Sequence, residues 1–159
     1  RIKLCGLSQV CDIETANELK PDYIGFVFAA GSRRYVPPDK AGELKKMLIP
    51  EIQTVGVFVG EEPEVIAGLL DAGIIDLGQL HGGEDEDYIR ILRRLTDRPV
   101  IKAFRIDSEE DIRLAEASSA DYILLDSGSG GTGTVFNWVL LCSPSQSCLL
   151  TRLDTLALV

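Results

Sequence analysis

No stretch of this sequence stays apolar long enough to span a bilayer, and no secretory leader opens it. A membrane-embedded or exported protein is therefore not expected. Basic residues are scarce. Sixteen Lys and Arg face 25 Asp and Glu, for a net charge of −9. Nucleic acid and anionic membrane surfaces need basic patches, so neither is an expected partner. A small anionic substrate stays open, because it needs only a local positive pocket. Histidine occurs once, at His81, and the four cysteines (Cys5, Cys11, Cys142 and Cys148) form no C-x-x-C pair. No metal site is expected from so few ligands, and thiols held reduced in a cytoplasm are the default for such a chain. The first apolar run ends in Lys3-Leu4-Cys5-Gly6 without a G-x-G-x-x-G. That argues against a dinucleotide-binding sheet, where the glycine loop follows the first strand.

What is present is ordinary material for one domain with a core: 159 residues, 45% apolar and 26% charged. Apolar runs of strand character begin near Ile2, Asp22, Gln53, Ile74, Pro99 and Asp121. Between them lie segments of helical spacing. Ala41, Leu44 and Leu48 mark one, Val65/Ile66 with Leu69/Leu70 a second, and Tyr88, Ile91/Leu92 and Leu95 a third. Pro37, Pro38 and Pro63 suit first helical turns. Ser108-Glu109-Glu110-Asp111 reads as a capping box before Ile112. Alternating strands and helices imply a parallel sheet with helices outside. A doubly wound open sheet fits the length, whereas a (βα)8 barrel needs about 200 residues or more. The chemistry favours the barrel. Polar groups fall at the ends of many runs: Cys5, Ser32 to Arg34, Gln79 to His81, Arg105 and Asp126. Barrels gather such residues at one mouth. Lys3 and Lys102 sit inside apolar runs, either directed into the lumen or snorkelling out. The acidic run Glu84 to Asp87 reads as a helix start.

The sixth run ends in a carboxylate, Asp126, followed by Gly128, Gly130, Gly131 and Gly133 and then a helical segment. Glycines let backbone N–H groups approach an anion, and a helix N-terminus adds a favourable dipole. One segment thus offers a candidate acid or base and a candidate phosphate cradle. Taken singly, each residue has a plainer reading. A strand cysteine is usually a small hydrophobe, an aspartate often starts a turn, and a loop arginine is usually solvated.

Taken in order, the set resembles the phosphoribosylanthranilate isomerase family of tryptophan biosynthesis. The matching segments are Ile2 to Gly6, Asp22 to Phe28, Ser32 to Val36, Val55 to Val59, Gln79 to Gly82, and Leu125 to Ser127 with Gly130 to Gly133 through Trp138. The resemblance implies an α/β (βα)8 TIM-barrel fold with about six of eight βα units, spanning residues 1–141. It implies an Amadori rearrangement of a phosphoribosyl-linked anthranilate, without cofactor or metal, with the imine as electron sink. By the resemblance Cys5 is the general base and Asp126 the general acid. Arg34 and His81 bind the substrate, and Gly131, Thr132 and Gly133 hold its phosphate. The implied partner is a small anionic phosphosugar. Another phosphosugar-binding barrel enzyme is the alternative, as is a truncated barrel without activity.

After Leu141 the character changes. Residues 142–159 form an atypical tail, expected to be non-native or disordered, in place of the family's seventh- and eighth-strand turns. A shifted reading frame or a faulty gene model is the expected origin, just as an initiator residue is expected before Arg1. The outer edges of the first and sixth strands would then be open, a route to a homo-oligomer by edge pairing. Resequencing the gene around codon 142 tests the frame reading: an uninterrupted native frame that encodes this tail refutes it.

Overall fold

The computed structural model describes residues 1–126 and 157–158. The described chain alternates β1 (Ile2–Cys5), α1 (Val10–Leu19), β2 (Tyr23–Val27), α2 (Pro38–Lys46), β3 (Gln53–Phe58), α3 (Pro63–Asp71), β4 (Leu77–Leu80), α4 (Glu86–Leu95), β5 (Val100–Arg105), α5 (Glu109–Ala117) and β6 (Tyr122–Asp126). Each strand pairs in parallel with the next, in the order β6-β5-β4-β3-β2-β1. The six strands form a half-barrel, as the βα repeat implies.

Local chemistry sets the helix starts. Pro38 and Pro63 open α2 and α3, where the missing N–H costs nothing. The capping box of α5 forms as read: Ser108 accepts from the Asp111 N–H, and the Asp111 carboxylate accepts from the Ser108 N–H. Asp85 caps α4 by accepting from the Tyr88 N–H at 2.9 Å. The helix over Val10–Leu19 is not announced by apolar spacing, since only Ile13 and Ala16 are buried there. The fourth strand begins at Leu77, three residues past the expected start at Ile74. Ile74 to Asp76 are a turn instead. The Asp76 carboxylate takes bonds from the Thr54 N–H, the Thr54 hydroxyl and Lys45 Nζ at 2.8, 2.9 and 2.7 Å.

Alternation divides the sheet into two faces. One face packs on the helices through Ile24, Phe26, Phe58, Leu80, Val100 and Ile123. The Phe28 and Phe58 rings stack there with centroids 5.1 Å apart. The other face lines the lumen, where Tyr23, Val55, Leu77, Ile101, Ala103 and Leu124 form a smaller cluster. The two strand lysines part company on this criterion. Lys3 is fully buried on the lumen face. Lys102 shares the helix side with Val100 and Phe104. Its Nζ bonds Gly82 O at 2.8 Å and Glu84 Oε2 at 3.0 Å.

One edge differs from expectation. Ala157–Leu158 form a short parallel β7 against Ile2 and Lys3 of β1, so that edge is covered over its first half. Two residues at the end of the chain carry enough backbone donors and acceptors to pair with half of a four-residue strand. The expected boundary at 141/142 lies outside the described residues.

Glu84 ties three elements together at the C-terminal end of the sheet. It accepts from the Gly60 N–H and the Gly82 N–H, both at 2.8 Å, and pairs with Lys102. It is thus a buried clasp, beyond the helix-start reading of its acidic run. Burial alone would raise its carboxyl, but the Gly60 N–H and Lys102 outweigh that and hold it below its ordinary 4.5. A depressed folded value means stability that is fully present above the unfolded value and is lost as pH falls through the folded one. Lys102→Met is expected to destabilise the fold by about 3 kcal/mol, through an unpaired buried carboxylate. The shift in urea midpoint measures it, and the loss should shrink at a pH low enough to protonate Glu84.

Candidate active site

Parallel strands end together, so the sheet delivers Cys5, His81 and Asp126 to one end from β1, the residue after β4, and β6. Parity turns them the same way. Lys3 and Cys5, Gln79 and His81, and Leu124 and Asp126 fall on the lumen side in step with the Tyr23, Val55, Leu77 and Ile101 cluster.

His81 and Asp126 are in direct contact. His81 Nε2 lies 3.2 Å from Asp126 Oδ2, with both side chains roughly a third exposed (35% and 27%). They are 45 residues apart in sequence. His81 Nδ1 in turn lies 3.2 Å from Gln79 Nε2. Gln79 is buried, and its carbonyl oxygen accepts from Lys3 Nζ across the lumen. Burial pushes the Lys3 ammonium below its ordinary 10.5, an effect that its contact with Cys5 opposes.

Cys5 is half-buried and free of any disulfide. Its room comes from Gly25 on β2. A Cβ there would sit 2.7 Å from Cys5 Sγ and 3.1 Å from Lys3 Cε. The next residue, Gly6, has φ +85° and brings its N–H to Gly25 O at 2.9 Å. That tight turn leaves open the space into which Arg34 folds: a Cβ on Gly6 would collide with Arg34 Cδ. Arg34 is held from its own side by the β2–α2 loop, where its N–H donates to Ser32 Oγ at 3.1 Å and Val36 N–H returns to Val27 O. Its guanidinium therefore lies beside the Cys5 turn.

The four described candidates, Cys5, Arg34, His81 and Asp126, thus occupy one end of the lumen. Gly131, Thr132 and Gly133 lie outside the described residues. The arrangement sets a thiol, a carboxyl and two nitrogenous groups at one partly exposed end of the lumen, suited to proton transfer on a bound anion. The sequence places Gln79 among the strand-end polar groups and leaves Lys3 either in the lumen or snorkelling out, but gives neither a role in the site, and it gives none to Gly6 or Gly25. Period-two spacing from Cys5 and His81 was the available signal for Lys3 and Gln79.

A family model for N-(5'-phosphoribosyl)anthranilate (PRA) isomerase matches residues 2–153. The chain belongs to this family. It is 43% identical over 145 residues to an N-(5'-phosphoribosyl)anthranilate isomerase of Endomicrobium trichonymphae, covering 89% of this chain and 70% of that one. Its fold is similar to the crystal structure of the isomerase from Thermotoga maritima, with a TM-score of 0.80 at 35% identity, covering 89% of this chain and 69% of that one. A phosphoribosylanthranilate isomerase solved with a reduced 1-(o-carboxyphenylamino)-1-deoxyribulose 5-phosphate gives 0.76 at 34% identity, covering 89% and 68%. Family membership agrees with the strand-end motifs and with the six parallel strands and five helices of the described residues. Among the described residues no helix is long and apolar enough to cross a membrane.

In this isomerase-family site Gly6 is the position least able to accept a side chain. Gly6→Ala should cost about 1–2 kcal/mol from its left-handed backbone alone, and more from displacing Arg34. Gly31→Ala, at a site with no atom within 4 Å, is the control. Denaturant midpoints of the two variants measure the difference.

Proposed function

We propose that the chain catalyses the isomerisation of N-(5'-phosphoribosyl)anthranilate to 1-(2-carboxyphenylamino)-1-deoxyribulose 5-phosphate in tryptophan biosynthesis, with Asp126 as general acid and Cys5 as general base. The observation that carries this reading is the placement of a thiol and a carboxyl at one end of the lumen, in a chain of this family.

Asp126 donates its proton to the furanose ring oxygen. The C1–O bond breaks, and the anthranilate nitrogen lone pair forms C1=N. The Cys5 thiolate then removes the proton on C2. The C–H pair becomes C1=C2, and the C=N electrons return to nitrogen, giving an enolamine. Loss of the C2 hydroxyl proton and gain of a proton at C1 yield the ketose. The nitrogen is the electron sink, so the balance closes without a redox partner.

Arg34 would pair with the anthranilate carboxylate, which suits a planar guanidinium fork. His81 would contact the sugar from the Asp126 side. Gly131, Thr132 and Gly133 would give backbone N–H groups to the phosphate. Three details of partnership and place join the proposal: a small anionic phosphosugar as ligand, a cytoplasmic setting, and assembly with a second copy. The Thermotoga maritima enzyme described as dimeric supports the last by analogy.

Loss of substrate fluorescence on the purified chain tests the reaction. Cys5→Ala and Asp126→Asn should each lower kcat by about 10²–10⁴-fold, and Arg34→Met should raise KM by about tenfold or more. An unaltered chain that fails to turn over, under conditions where a relative does, would overturn the reading.

A further inference from the structure

Four side chains on the lumen face join in one hydrogen-bonded line. Lys3 Nζ, beside Cys5, donates to Gln79 Oε1. Gln79 Nε2 lies 3.2 Å from His81 Nδ1, and His81 Nε2 lies 3.2 Å from Asp126 Oδ2. The line has a direction. An amide has one accepting and one donating end, and an ammonium only donates. Lys3 therefore takes the Gln79 oxygen and leaves its NH₂ facing the imidazole. His81 Nδ1 must accept, so a neutral ring carries its proton on Nε2, aimed at Asp126. A carboxylate oxygen is the acceptor that this end of the line requires.

We propose that Lys3 and Gln79 are positioning residues that fix His81 as its Nε2–H tautomer, so that His81 supports Asp126 while the same Lys3 steadies the Cys5 side chain. The catalytic meaning rests on the isomerase reading; the geometry does not. When Asp126 gives its proton to a ring oxygen, negative charge grows on the carboxylate. A donor already aimed at Oδ2 strengthens as that charge develops, because hydrogen bonds to an ionised group are about twice as strong as neutral ones. The other oxygen stays available to carry the transferred proton. The opposite tautomer would turn a nitrogen lone pair toward the carboxylate and oppose the same step. Gln79 suits the linking position because its amide accepts from the ammonium at one end and donates to the ring nitrogen at the other. Leu or Met would break the line, and Glu would present acceptors to both neighbours.

The chain has one histidine, so its ring nitrogens give a single pair of signals in long-range ¹H–¹⁵N NMR. The full-length chain would be measured at about pH 8, where an ordinary imidazole is neutral. The expected spectrum has Nε2 protonated and Nδ1 bare. Lys3→Met frees the Gln79 amide to turn and should give a mixture of tautomers. Gln79→Glu keeps the shape but places an acceptor against Nδ1, and should move a proton onto Nδ1. That near-isosteric variant decides the matter if Lys3→Met fails to fold. In the isomerase assay, kcat of Gln79→Glu should fall about tenfold or more with KM little changed. An Nδ1–H ring in the unaltered chain overturns the proposal. So does an Nε2–H ring that the folded variants leave unmoved. The expected tautomers in a chain that turns over no phosphoribosylanthranilate would support the positioning line and overturn the isomerase reading instead.

Discussion

A fully buried ammonium is the constraint around which the lumen is arranged. Lys3 lies in the first strand with no solvent to satisfy it, and an unpartnered charge there would cost several kcal/mol or more. Its neighbours answer that cost. Gln79 turns its carbonyl toward Nζ from the far side of the lumen, and Cys5 lies alongside. Gly25 keeps the space between them clear, since any side chain there would strike both Lys3 and Cys5. The polar line that leaves this ammonium ends at Asp126, on the last strand of the half-barrel. The position of His81 is therefore tied to a residue 78 places earlier through one shared glutamine.

The outer face is governed by a second buried pair. Glu84 and Lys102 hold the loops after β3 and β4 against β5. This clasp lies on the helix side of the sheet, while the Lys3 line lies on the lumen side. The division of labour follows from strand alternation. Each strand sends half its side chains to packing against helices and half to the lumen, so stability and chemistry draw on different residues of one strand. Val100 and Lys102 serve the first purpose, and Ile101 and Ala103 the second.

Much of this was legible in the chain itself. Prolines and a capping box announced α2, α3 and α5, because capping is settled by residues within one turn. The strand-end motifs carried the family and four described site residues. Other features were not legible. Ile74 and Ile75 look like strand, but their N–H groups bond back to Leu69 O, and Thr54 and Lys45 hold Asp76 beyond them, so they form a turn. The α1 helix shows little apolar periodicity, since it buries only Ile13 and Ala16. Lys3 and Lys102 look alike in sequence and differ by strand parity, which registers only once the neighbouring strands are paired.

The sequence by itself determined the βα alternation, the excess of acidic groups, and the order of residues that places this chain among phosphoribosylanthranilate isomerases. These follow from local spacing and from residue identity. Only the tertiary structure decided that Glu84 is a buried clasp, that β1 meets Ala157–Leu158, and that Cys5 and Asp126 are joined through Lys3, Gln79 and His81. Each depends on a contact spanning 18 residues or more: Glu84 with Lys102, β1 with β7, Lys3 with Gln79, and His81 with Asp126. No local preference encodes these. The parallel sheet creates them by bringing equivalent strand ends to one height, where a side chain's partner is set by register and facing direction.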